Sequence, residues 1–270
     1  MDAINDIHTV AALEQHTHTV IFLHGRDSEA TQFADEFFES QDSADRFLPQ
    51  TFPSIKWVFP SSGSRKSLRF GEELSQWFDM WSVEEPSERK EIQLDGLRES
   101  VAFTLDIVRR ESTIVPPERI ILAGISQGCA TAIFALLSGG IRLGGFIGLS
   151  SWLPFQDEIK SFSKNLELED CNIPKEIEVL LEKGLGKSGA ENVNQGIGIS
   201  RGSDSALTTP VFLSHSQEDP VVPVRNGQGL CEGLKELGMS VIWKEYEDDT
   251  HWIFEPQGVD DIVEFISAVL

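Results

Sequence analysis

A serine at 126, an aspartate at 219 and a histidine at 251 are the side chains whose types and order could do covalent chemistry. A serine hydroxyl is a weak nucleophile at neutral pH. It needs a base to take its proton and an acidic group to orient that base. Ser126 lies in Gly124-Ile125-Ser126-Gln127-Gly128. A sharp strand-to-helix turn pushes a hydroxyl out of a sheet and leaves room only for small residues two positions before and two after. The helix that follows offers its first N–H groups to a developing negative charge. An ordinary strand-to-helix turn with a serine N-cap has the same local pattern. The downstream residues separate the two readings, because an acid and then a base follow the serine in the order such a nucleophile needs.

The surrounding segments place these residues at strand ends. Four β-formers, Ile120-Ile121-Leu122-Ala123, precede the serine motif, and the apolar run Cys129 to Leu136 continues it as a buried helix. Asp219 follows the run Pro210 to His215, and His251 follows Ser240 to Tyr246. Earlier strands are expected at Thr19–Leu23 and Ile55–Pro60, and a further one at Gly145–Leu149, with a short edge strand within residues 1–16. Helices are expected at about Glu29–Glu39, Gly96–Arg110, Gly227–Leu237 and Val259–Leu270. Strands alternating with helices predict an α/β fold with a mainly parallel central sheet covered on both faces. Parallel strands carry their C-terminal ends to one edge, where Ser126, Asp219 and His251 would meet. From about 155 to 207 the chain is charged and weakly periodic, with one helical candidate near Pro174–Lys183. It reads as an insertion in a single domain spanning 1–270. Within it, Gly184-Leu185-Gly186-Lys187-Ser188 has the look of a phosphate loop, but Leu181 stands where that motif requires glycine.

Composition removes several classes. The net charge of −22 disfavours nucleic acid, which needs clustered Lys and Arg, and adsorption to an anionic membrane. Cys129, Cys171 and Cys231 have no disulfide or zinc spacing, so reduced thiols in the cytoplasm are expected, with no metal and no cofactor. The first residues carry no basic, apolar leader, and no apolar run is long enough to span a membrane. His16 and His18, two apart beside a strand, receive no role.

An acyl-transfer site also needs two N–H donors for the oxyanion. Gln127, directly after the nucleophile, supplies one. The loop Leu23-His24-Gly25-Arg26 after an early strand supplies the other, with Arg26 as the donor. At this point the chain resembles the acyl-protein thioesterase, or phospholipase/carboxylesterase, family of serine hydrolases. The likeness rests on Phe22-Leu23-His24-Gly25, Trp77-Phe78-Asp79, the serine motif, Leu149 to Pro154, and Asp219-Pro220-Val221-Val222-Pro223 with His251. It implies a metal-free α/β-hydrolase with Ser126 as nucleophile, His251 as base, Asp219 as its orienter, and Arg26 and Gln127 at the oxyanion. Three departures stand out. His24-Gly25-Arg26-Asp27 lacks the second glycine of the family's H-G-x-G-D, the 155–207 insertion adjoins the expected acyl site, and Trp252 follows the histidine where the family often has a small residue. Trp77, Trp152, Leu153 and Trp252 are the expected lining of an acyl groove. The expected activity is hydrolysis of acyl esters or thioesters, on a lipid, a small molecule or an acylated protein. The rivals are a carboxylesterase without a protein substrate and a non-catalytic binding protein on the same scaffold.

Overall fold

The computed structural model describes residues 6–165, 172–182 and 205–270. In chain order the elements are β1 (Ile7–Val10), β2 (His18–Leu23), α1 (Ala30–Glu39), α2 (Leu48–Thr51), β3 (Ile55–Pro60), β4 (Ser64–Lys66), β5 (Glu73–Ser75), α3 (Leu94–Ser112), β6 (Ile120–Ile125), α4 (Gln127–Gly139), β7 (Gly145–Leu149), α5 (Gln156–Asn165), α6 (Ile173–Glu182), β8 (Val211–Ser216), α7 (Val224–Glu236), β9 (Val241–Tyr246) and α8 (Gln257–Val269). Seven strands form one sheet in the order β1-β3-β2-β6-β7-β8-β9. Only the edge pair β1–β3 is antiparallel.

Side-chain alternation along the central strands builds two cores. Ile21 and Leu23 of β2, with Ile120 and Leu122 of β6, join one cluster. Val20 and Phe22, with Ile121, Ala123 and Ile125, join the other. Both faces of these strands are therefore covered, which is why they read as continuous apolar runs. The first core takes the buried faces of α3, α4, α6 and α7, and the second takes Phe33 and Phe37 of α1 with Ile262 and Ile266 of α8. A fully buried Phe or Ile is worth about 1.5–3 kcal/mol. A surface ion pair such as Lys160–Glu232 is worth about 0–1. Burial, not charge pairing, therefore seats the helices.

Two segments differ from expectation. The stretch 61–69, not among the expected strands, contributes strand β4, which pairs with β5 in a short separate hairpin. Its residues are mostly exposed, so no apolar alternation announces it. In the region expected to hold one helix, the described residues form two. α5 shows little periodicity because Ile159 and Phe162 are its only large apolar residues, yet Ile159 is fully buried. α6 buries Ile173, Ile177, Leu180 and Leu181 in the main core. The Gly184–Ser188 segment lies outside the described residues. Among the described residues no helix is long and apolar enough to cross a membrane.

The β6–α4 connection is the tightest point of the fold. A Cβ on Gly124 would lie 2.5 Å from the Cys129 nitrogen, and one on Gly128 would lie 2.3 Å from the carbonyl oxygens of Leu23 and His24. These are rigid backbone atoms, so the neighbours cannot give way. Gly128→Ala is expected to lower the unfolding free energy by ~1–3 kcal/mol through overpacking, despite alanine's better helix propensity. Urea unfolding of the variant checks this; a stability equal to or above the parent's would contradict it.

Candidate active site

Ser126 sits between β6 and α4 with φ 53° and ψ −125°. This is a left-handed backbone that a non-glycine residue adopts only when its surroundings enforce it. Two bonds do so: the Ser126 N–H donates to the Leu149 carbonyl at 2.9 Å, and the Ser151 hydroxyl donates to the Ser126 carbonyl at 2.7 Å. The end of β7 thus braces the turn. Cys129, directly beneath it, is no rival nucleophile, because burial pushes its thiol up to about 12.

Asp219 and His251, far apart in sequence, come together beyond the C-terminal ends of β8 and β9. His251 Nδ1 lies 2.7 Å from Asp219 Oδ2. The other carboxylate oxygen, Oδ1, accepts the N–H groups of Val221 and Val222 at 2.8 and 2.9 Å. The Pro220-to-Pro223 turn therefore fixes the carboxylate with Oδ2 toward the imidazole. Burial alone would raise the Asp219 carboxyl. Hydrogen bonds from His215 and His251, the His251 charge and the Val222 N–H outweigh it and hold the group well below the usual carboxylate range. An ionised carboxylate here favours a proton on Nδ1 and leaves Nε2 to act as a base.

His215 has no place in the sequence reading. It is fully buried at the end of β8, with Nε2 2.8 Å from the Val222 carbonyl and 3.3 Å from Asp219 Oδ2. Its Nδ1 has no partner among the described residues, so the N–H belongs on Nε2, shared between these two acceptors. The available signal was a histidine four residues before the acid at a strand end.

The loop after β2 lies against the serine: a Cβ on Gly25 would stand 3.5 Å from Ser126 Cβ. Asp27 takes φ 60°, so an aspartate adopts the left-handed turn that glycine enters freely. The loop therefore bends at Asp27. The β4–β5 hairpin supports it, with the Asp27 N–H donating to the Ser75 carbonyl at 2.8 Å and the Ser75 hydroxyl donating to the Ser28 carbonyl at 2.6 Å. Among the described residues, neither the Arg26 nor the Gln127 backbone N–H donates to a protein acceptor. The Arg26 guanidinium lies over Phe70, which is 50% exposed.

The residues expected to line an acyl groove are enclosed or turned to a neighbouring helix. Trp77, Trp152 and Leu153 are at most 2% exposed and belong to the main core, so none offers an open wall to an acyl chain. Their loop positions suggested access, but a loop pressed onto a core buries its side chains as a helix does. Trp252 turns to α1, edge-on to Phe33, with its indole N–H 3.4 Å from the Ser40 hydroxyl.

His24, the residue before Gly25, is buried with both ring nitrogens engaged. Nδ1 donates to the Gly25 carbonyl at 2.6 Å, and Nε2 accepts the Ser62 N–H at 3.1 Å. Burial lowers it from 6.5 to about 4, against the raising effect of the Gly25 bond. The unfolded chain binds this proton more readily, so the contribution is complete above pH 6.5 and is lost as pH falls toward 4. That difference corresponds to ~3 kcal/mol. Urea unfolding at pH 7 and pH 4 should show the parent losing about that much more stability than His24→Gln; equal losses would contradict the assignment.

The chain is similar to known proteins over most of its length. The phospholipase/carboxylesterase family model matches residues 5–188 and 185–270. Acyl-protein thioesterase 1 of Yarrowia lipolytica is 30% identical over 246 residues, 90% of this chain and 88% of that protein. Acyl-protein thioesterase 1 of Gibberella zeae is 28% identical over 263 residues, 96% and 93% of the two chains. The crystal structure of Zea mays acyl-protein thioesterase 2 superposes with a TM-score of 0.70 over 98% of this chain and 99% of that one, at 22% identity. The chain therefore belongs to the phospholipase/carboxylesterase family and has its α/β-hydrolase fold.

Proposed function

We propose that this protein is a cytoplasmic serine hydrolase that cleaves acyl esters or thioesters through an acyl-enzyme, in the manner of the acyl-protein thioesterases it is similar to. The observation that carries the mechanism is the 2.7 Å contact between His251 Nδ1 and Asp219 Oδ2, with Ser126 held at positive φ after β6, a strand of the same parallel sheet. Ser126 Oγ attacks the acyl carbonyl while His251 Nε2 takes its proton. The oxyanion draws on the backbone N–H groups of Arg26 and Gln127. Collapse expels the thiol or alcohol, protonated by His251. Water, deprotonated by the same histidine, then releases the acid and frees Ser126. Asp219 keeps the imidazole oriented and stabilises the imidazolium. No cofactor enters any step. The cytoplasmic setting rests on composition alone: an acidic chain whose three cysteines have no motif spacing. The chain works as one domain, with 155–207 as its insertion, and the packing of α6 on the main core supports that reading.

The enclosure of Trp77, Trp152 and Leu153 favours a second reading, a carboxylesterase for short acyl groups without a protein substrate. A graded series of acyl thioesters and p-nitrophenyl esters separates the two. Preference for long-chain thioesters, extending to a palmitoylated peptide, supports the first reading. Activity confined to short esters supports the second. In either case Ser126→Ala should lower turnover by at least ~10³-fold. Unchanged turnover by the pure variant would sink both.

A further inference from the structure

The two oxyanion donors named above belong to different parts of the fold. One starts α4, and the other lies in the loop after β2. A single buried chain of hydrogen bonds joins them. The Gln127 side chain, 1% exposed, accepts the Trp77 N–H on Oε1 at 2.8 Å and donates from Nε2 to the Phe78 carbonyl at 2.8 Å. An amide that both accepts from and donates to one dipeptide grips it in a single orientation. α3 holds that dipeptide from behind: the Ser100 hydroxyl donates to the Trp77 carbonyl at 2.5 Å, and a Cβ on Gly96 would stand 2.7 Å from Phe78 Cα. The Trp77 indole N–H then donates to the His24 carbonyl at 2.8 Å. The His24 imidazole in turn holds the Gly25 carbonyl at 2.6 Å. In a trans peptide the C=O and the next N–H point in opposite directions. Fixing the Gly25 carbonyl therefore fixes the direction of the Arg26 N–H.

We propose that the Gln127 side chain and the Trp77 indole are positioning residues of the oxyanion hole. Gln127 carries one donor on its backbone and, through Trp77 and His24, sets the aim of the other. The inference rests on the serine-hydrolase reading and deepens it. It accounts for full burial of the side chain after the nucleophile, and for a buried tryptophan whose N–H is spent on a loop carbonyl. It also supplies the aim that a second glycine does not provide in the shortened loop.

The test uses Gln127→Met, which keeps the backbone N–H and loses the side-chain grip, Trp77→Phe, which loses the indole N–H, and the double variant. Thermal unfolding, kcat, KM and the affinity of a trifluoromethyl ketone, whose adduct carries the oxyanion, are read for each. Both single variants are expected to lose ~10- to ~10²-fold in kcat with KM within about twofold, and ketone affinity should fall by the same factor. Because the two act in one chain, the double variant should cost little more than the worse single one. Should Gln127→Met fail to fold, Trp77→Phe carries the test. Lower stability with kcat and ketone affinity both unchanged would mean a merely structural role and overturn the proposal. A fluorophosphonate that leaves Ser126 of the parent unlabelled would instead overturn the hydrolase reading itself.

Discussion

Between β6 and α4 the chain turns so tightly that Ser126 is held at φ 53° and no Cβ fits on Gly124 or Gly128. Much of the site depends on this close approach. Because Gly128 lets the Leu23 and His24 carbonyls come within contact of α4, the end of β2 lies directly against the start of the helix. The loop after β2 therefore lies beside the serine. The same closeness brings the Gln127 side chain to the Trp77–Phe78 backbone. Left-handed backbone at a non-glycine residue costs on the order of 1–3 kcal/mol. Packing of β6 and α4, whose residues are almost all buried, offsets that many times over.

Three buried polar groups around the turn are used on both sides. His24 engages both ring nitrogens, Asp219 both oxygens, and Gln127 both ends of its amide. A group held at two points has a fixed direction, which catalysis by preorganised dipoles requires. Such groups are costly when half satisfied, so the network leaves little freedom for substitution. His215 differs: its Nδ1 has no partner among the described residues, while Nε2 lies 3.3 Å from the acid.

Much of this was legible in the sequence because it is periodic or ordered. Apolar runs of strand length marked the central strands, and 3.6-residue spacing marked α1, α3 and α8. The chain order of Ser126, Asp219 and His251 at strand ends singled out the three residues, two of which the structure joins directly. Features without period were not legible. β4–β5 pairs mostly polar residues that are exposed or half-buried, and α5 packs through Ile159 and Phe162 alone among its large apolar residues. Trp77 illustrates the limit: its loop position suggested an open groove, whereas its indole N–H is drawn inward by the His24 carbonyl. Only the fold brings that carbonyl within reach of the indole, and the contact has no local pattern.

The proposed mechanism stands on Ser126 as the nucleophile, with its oxyanion met by N–H groups from the start of α4 and from the loop after β2. A crystal structure of the protein after reaction with an alkyl fluorophosphonate tests it most directly. The account predicts phosphorus bonded to Ser126 Oγ, with the phosphonyl oxygen ~2.7–3.1 Å from both the Arg26 and Gln127 nitrogens. An adduct on any other residue, or a phosphonyl oxygen turned away from the Arg26 N–H, would contradict it.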